Sequence, residues 1–370
     1  MILFVQLFIP AIIALVGFFF LKDKGGKQTI DWKEFLAQMA AQLLIAGITV
    51  AIILSSNTSD VETISGYVTD KKKNKVSCEH SYDCNCREEC TGSGESKSCY
   101  QVCDTCYDHS YDWDWDVYTT VGGFTISRID SRGTRQPSRW SAVRISEPVV
   151  RHHSFTNYIK SAPDTLFRQE GYKGIAVPAY PDNIYDYWHI NRFVGDAPVR
   201  NAKAWNNDLM KINADIGAKK QVNMIIVTTT KGHDFYFALK QAWLGGKKND
   251  VVLVLGLQGE EIAWADALAW SQDESIKVEL REAMMEIGVM DRTKVISAFK
   301  ANVLNHYKRK PMKDFEYLKS SITPTTTQWI VSLVIGIIVS VGLTILFHIY
   351  DPFEPNRRFG YRSRLYRRRY

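Results

Sequence analysis

From residue 1 to residue 77, and again from residue 107 to residue 370, the chain has no cysteine. All seven lie in the window SCEHSYDCNCREECTGSGESKSCYQVCDTCYDHS, as Cys78, Cys84, Cys86, Cys90, Cys99, Cys103 and Cys106, with His80 and His109 at its flanks. Thiol chemistry is therefore confined to one module. Also missing are the short signatures of common enzymes: G-x-S-x-G, H-E-x-x-H, the P-loop and G-x-G-x-x-G. Their absence removes the usual serine-hydrolase, zincin, nucleotide-triphosphatase and dinucleotide readings. There is no internal repeat, and the flank SSNTSDVETISGYVTD after Leu54 holds no Lys or Arg.

What the chain does have is charge-free length. A net charge of +6 and a mean hydropathy of −0.19 describe a soluble protein on average, but the apolar residues gather at the two ends. Residues 1–21 (MILFVQLFIPAIIALVGFFFL), 35–54 and 329–350 are each long enough to cross a hydrocarbon core of ~30 Å as a helix. The first run has no basic n-region and no small-x-small cleavage site, so it reads as a retained helix. In the second, Gln38 and Gln42 share a face, which leaves open an amphipathic helix lying against the first; its uncharged length favours a span. Trp329 and Tyr350 stand where interfacial aromatics anchor the third.

Orientation follows from the flanks. Lys22, Lys24, Lys27 and Lys33 lie between the first two runs, and Arg357, Arg358, Arg362, Arg364, Arg367, Arg368 and Arg369 follow the last. The positive-inside rule puts hairpin 22–34 and tail 351–370 in the cytoplasm of a bacterial inner-membrane protein and residues 55–328 on the opposite side.

The exposed region divides at about residue 193. Residues 55–193 form a Cys-rich, β- and turn-rich module with a connector. In YDWDWDVY, Tyr111, Trp113, Trp115 and Val117 alternate with Asp112, Asp114 and Asp116, the period of a strand with one aromatic and one acidic, solvated face. FTISRI and WSAVRI repeat that pattern around the turn DSRGTRQPS. Residues 194–318 alternate helical spacing with the doubly apolar strands VNMIIVTTT and DVVLVLGL, followed by EIAWADALAW, which implies a largely parallel sheet covered by helices. Residues 319–328 (KSSITPTTTQ) read as a tether into the last span.

QVNMIIVTTT, FALKQAWLGGKKND and VVLVLGL, in helix–strand–helix–strand order, resemble the TPM domain, a family of membrane-anchored α/β domains that face the thylakoid lumen, periplasm or extracellular space. The resemblance covers residues 193–310. It implies an extracytoplasmic α/β fold and, from activities attributed to some members, a metal-assisted phosphatase. Where many members carry a GYGLEG-like turn this chain has QGEEIAWADALAW, which weighs against both metal binding and turnover. The chain is also similar to membrane proteins of tailed bacteriophages.

Ligands of open α/β sheets sit beyond the carboxyl ends of the strands. Thr229, Thr230, Lys231, His233 and Asp234 fall there, with Gln258, Glu260 and Glu261. His233, Asp234 and Glu260 are the residues that could hold a divalent ion; the plain alternative is a solvated loop in which Asp234 caps a helix starting at Phe235.

The seven cysteines admit two readings. C-x-C beside C-x2-C with nearby histidines would make a zinc cluster in a reducing compartment. An extracytoplasmic position favours about three disulfides and one leftover thiol, and a segment too small for its own core needs such staples. Spacing does not fix the pairing. No other cofactor is called for. The seven-Arg tail, with Phe359, Tyr361, Tyr366 and Tyr370, suits anionic lipid headgroups better than nucleic acid. The expectation is a non-catalytic binding or scaffolding ectodomain on a three-span anchor, with Trp113 and Trp115 meeting an unknown protein partner.

Overall fold

The computed structural model describes residues 2–22, 30–92, 97–160, 172 and 174–349. The chain forms two compact units: Met1–Asp60 with Thr156–Thr165 and Phe315–Tyr370, and Val61–Phe155 with Leu166–Asp314. The Arg-rich tail, Arg357 to Arg369, lies outside the described residues, as does most of hairpin 22–34.

The first unit is helical. α1 (Ile2–Phe20), α2 (Trp32–Thr58) and the C-terminal helix (Thr326–Ile349) pack against one another. Glu34 Oε2 accepts the Asp31 N–H at 2.9 Å, which satisfies one free donor at the start of α2. Gln38 and Gln42, set one turn apart, face inward and are fully buried. The Gln38 amide donates to Ser340 O, Ser340 Oγ and Thr344 Oγ1 at 2.9–3.1 Å, and Ser340 Oγ donates to Pro10 O at 2.9 Å. The outward faces are apolar instead, with Leu44 64 % and Ile338 64 % exposed. Polar residues inside and aliphatic ones outside invert the soluble pattern and match helices whose surroundings are lipid. Two of them, Trp32–Thr58 and Thr326–Ile349, are long and apolar enough to cross a membrane; α1 runs 19 residues. The expected tether is partly regular: a 3-10 helix runs over Met312–Ser321, and the last helix begins at Thr326.

The second unit holds two four-stranded sheets. β1 (Ser59–Val76), β4 (Asp112–Thr119), β5 (Phe124–Ile126) and β6 (Pro148–Thr156) form the first, in the order β5-β4-β1-β6. Between β1 and β4 the chain makes a separate hairpin, β2 (Ser81–Thr91) with β3 (Ser98–Tyr107). The core of the first sheet is Val68, Trp115, Val117, Ile126, Val143, Val149 and Trp188. Gly133 turns the DSRGTRQPS loop at φ +68°, where a Cβ would sit 2.1 Å from Trp113 O. WSAVRI is not a strand: Ser138–Ala142 is a short helix, α3, entered from Pro137. The expected solvated acidic face also fails at its first residue, because Asp112 is fully buried.

After a two-stranded ribbon, β7 (Ile184–Tyr185) with β8 (His189–Ile190), the second sheet begins at β9 (Phe193–Gly195). It continues through α4 (Ala202–Lys220), β10 (Asn223–Thr229), α5 (Asp234–Ala242), β11 (Asp250–Gln258), β12 (Glu261–Ala269), α6 (Ser275–Ile287) and α7 (Arg292–His306), with strand order β12-β11-β10-β9. Met224 and Ile226 of β10 join the core under α4, α6 and α7, while Ile225 and Val227 join the one under α5. This period-two split is why the strand reads as continuously apolar. β9 and β11 run parallel to β10, but β12 is antiparallel to β11. The sheet is thus mixed, since a tight turn at Gly259 (φ +65°) leaves no room for a crossover helix.

Residue 193 is not a boundary between compact units. Arg192 donates to Ser65 Oγ at 2.6 Å, Asn249 donates to Thr63 O at 2.7 Å, and Arg309 Nη2 reaches both oxygens of Glu62 at 2.7 and 2.8 Å. The start of β1 is therefore bonded to residues of the α/β half.

Candidate functional site

Six cysteines pair as rungs of one ladder: Cys84–Cys106, Cys86–Cys103 and Cys90–Cys99. Cys90 and Cys99 are directly opposite in the β2–β3 register, and a bulge between Cys84 and Arg87 accommodates the others. No residue of either strand is buried. The hairpin has no core, so its shape rests on backbone pairing and the three disulfides. Its tyrosines point outward: Tyr82, Tyr100 and Tyr107 are each about half exposed.

Cys78 is the thiol left over, and it is buried. It precedes β2, and His109 follows β3. The Asp108 N–H donates to His80 O at 3.1 Å and closes the root of the hairpin. There Cys78 Sγ lies 3.8 Å from His109 Nδ1, and the same nitrogen lies 3.3 Å from Asp112 Oδ1. Asp112 Oδ2 accepts the Glu79 N–H at 3.2 Å and Arg128 Nη1 at 3.0 Å, while Oδ1 is buried without a hydrogen-bond partner. Burial alone would raise the Asp112 carboxyl. The Glu79 N–H, the Arg128 guanidinium, the Cys78 thiol and His109 outweigh it and hold the group below the ordinary carboxylate value. Arg128 also forks onto Asp114 Oδ1, through Nη2 at 2.7 Å and Nε at 3.0 Å. Beside it opens a cleft of about 670 Å³ lined by Glu79, His80, Asp114, Arg128 and Asp130.

This is not a nucleophile triad. A relay needs one imidazole nitrogen on the thiol and the other on the carboxylate, whereas here Nδ1 faces both. Thiol, imidazole and carboxylate converging on one point could instead hold a metal ion. Among the described residues only one other group of three donors lies this close, Glu88, Cys90 and Cys99, and both its sulfurs are spent in a disulfide.

The residues expected at the mouth of the α/β sheet are engaged separately. His233 Nε2 pairs with Asp266 Oδ2 at 3.1 Å and sits among Tyr236, Phe237 and Trp264. Glu260 pairs with Arg200 at 2.6 Å, and both are exposed. Asp234 is the first residue of α5 but makes no side-chain cap; the turn is closed by Phe235 N–H to Gly232 O at 3.0 Å. Gln258 and Glu261 flank the Gly259 turn, so they belong to a hairpin rather than to a crossover loop. His233, Asp234 and Glu260 do not form a three-donor group.

Trp115, expected at a contact surface, is 3 % exposed and donates its indole N–H to Gly133 O at 3.1 Å. It is a core residue. Trp113 is half-buried, with Lys73 Nζ 4.9 Å from its ring centroid. Sequence reasoning missed Asp112 and Arg128. The odd cysteine count, with His109 three residues before Asp112, was the signal that could have found the first.

Compared with family models, curated proteins and solved structures, the chain matches none.

Proposed function

We propose that this chain is an integral membrane protein with three spans, residues 1–21, 35–54 and 329–350, carrying a non-catalytic binding ectodomain outside the cytoplasm of a bacterial cell. The tail stays inside, against anionic lipid. Disulfides form and persist in oxidising compartments, and the three in the hairpin support the extracytoplasmic side for residues 81–107. The α4–β10–α5–β11 order supports kinship of the second sheet with the TPM domain. The phosphatase role implied by that kinship is not adopted, because His233 and Glu260 are tied to different partners.

The observation that carries the binding role is the hairpin itself. A strand pair that buries nothing adds no stability to a core, so three covalent staples serve to hold its surface in one shape. That surface offers tyrosines, which give large contact area at low entropic cost. It also carries Glu79, Asp83, Glu88, Glu89, Asp104 and Asp108 against Arg87 and Lys97, so the partner is a protein with a basic face.

A photo-crosslinking residue placed at Tyr82, Tyr100 or Tyr107 of the full chain in its membrane tests this. A discrete adduct from these positions that fades with added salt, and none from the more exposed Tyr317, is the expected result. No adduct from any of the three hairpin positions would sink the reading.

A further inference from the structure

We propose that Cys78, His109 and Asp112 form a binding site for one zinc-like divalent ion at the root of the disulfide hairpin. Their ligand atoms Sγ, Nδ1 and one carboxylate oxygen all lie within 4.8 Å of one another. Zinc bound to thiolate, imidazole and carboxylate at ~2.3, ~2.0 and ~2.1 Å, at tetrahedral angles, separates sulfur from nitrogen by about 3.5 Å and nitrogen from oxygen by about 3.4 Å. The observed separations are 3.8 and 3.3 Å. Two of the three edges are thus close to those of a coordination tetrahedron, and the third, sulfur to carboxylate, is within 4.8 Å.

Two further features indicate a built site. Asp112 is completely buried, and its Oδ1 accepts no well-formed hydrogen bond, its neighbours being His109 Nδ1 at 3.3 Å and the Cys78 thiol. Those contacts are long for a buried carboxylate oxygen, and a cation held between the three groups would satisfy it more fully. The other oxygen is held by Arg128 Nη1 and the Glu79 N–H, the outer-shell support that fixes a ligating carboxylate in place. The donor set chooses the ion. A thiolate with an imidazole selects zinc or a similar borderline metal over calcium or magnesium, which take oxygen ligands.

Position gives the ion a task. Cys78 lies before the first hairpin strand, His109 after the second, and Asp112 opens β4. One ion therefore clamps both legs of the hairpin to the first sheet, where the ladder of disulfides stops. The odd thiol is thus accounted for: six cysteines stiffen the hairpin and the seventh anchors it.

The test uses the full chain in detergent micelles with its disulfides intact, stripped by chelator and titrated with Co²⁺, then Zn²⁺. Expected is one cobalt per chain with a thiolate-to-cobalt charge-transfer band, displaced by zinc and lost in Cys78→Ser. In Arg128→Gln, which loosens Asp112, affinity falls about 10–100-fold. Each variant is checked by mass for its three disulfides. Should Cys78→Ser fail to fold, alkylation of the wild-type thiol decides: zinc protects Cys78 and chelation exposes it. No bound cobalt, a band unchanged in Cys78→Ser, or alkylation equally fast with and without zinc overturns the assignment.

Discussion

Trp113 and Trp115 occupy the same face of β4, two positions apart, and Lys73 on the neighbouring strand lies 4.9 and 4.6 Å from their ring centroids. The sheet covers one and not the other. Trp115→Ala should cost about 3–5 kcal/mol, the usual penalty for emptying a buried aromatic site, whereas Trp113→Ala should cost clearly less; denaturant unfolding of the two variants measures it. The alternation in YDWDWDVY made the strand legible, but not which of its residues the core would claim, because β1, β5 and the 130–133 loop are distant in sequence or irregular. Asp250 was equally hidden. Burial pushes its carboxyl up to about 6, against hydrogen bonds from Asn223, the Lys247 N–H and Tyr180. Arg192, itself pushed down to about 10 by burial, bonds the far side of Asn223 at 2.6 Å. A carboxyl whose value rises on folding stabilises the fold below its unfolded value near 4, and that contribution is lost as pH climbs through 6. The loss is roughly 3 kcal/mol at most. The stability difference between wild type and Asp250→Asn should therefore shift in favour of wild type as pH falls from 7 to 4. A difference that stays constant over that range would refute this.

At the scale of elements, regular periodicity was readable and closure was not. α4, α6 and α7 and the two apolar strands β10 and β11 follow from spacing. β9 did not stand out, since three residues carry no period; it exists because Gly195 lets the chain lie against Thr228, where a Cβ would be 1.9 Å from its carbonyl oxygen. The direction of β12 turned on a single residue, Gly259. The β2–β3 hairpin has no core to fall back on, and its three rungs close loops of 22, 17 and 9 residues, with loop closure near 15 residues worth about 3 kcal/mol. Reduction should thus release the hairpin alone. Hydrogen exchange should show amides of residues 81–107 losing protection in reductant while those of β10 and β11 keep theirs. Loss of protection throughout would mean that the hairpin supports the rest of the unit.

For the whole molecule, the side on which residues 55–328 lie depends on α2 and the C-terminal helix, the two that are long and apolar enough to cross. If both span, hairpin 22–34 and the tail share one side and the disulfide segment the other, whatever α1 does. Under the proposed topology the Lys and Arg charges favour the cytoplasm for the first side, and the disulfides suggest an oxidising space for the second; the two arguments share no residue. α1 decides only where Met1 ends up. Its inner face meets the other helices closely enough that a Cβ on Gly17 would lie 2.7 Å from the Thr344 methyl, while Phe20 is 76 % exposed, as lipid contact allows. Three spans put a tag at Met1 on the extracytoplasmic side and a tag after Tyr370 in the cytoplasm; two spans put both in the cytoplasm. In spheroplasts treated with an impermeant reductant and then an impermeant thiol label, Cys84 to Cys106 should react, the Met1 tag should be cleaved by added protease, and the Tyr370 tag should survive. A surviving Met1 tag with labelled cysteines would remove only the first span. Unlabelled cysteines in cells that label fully after lysis would reverse the whole arrangement, leaving the hairpin in a reducing compartment where its three bonds could not last.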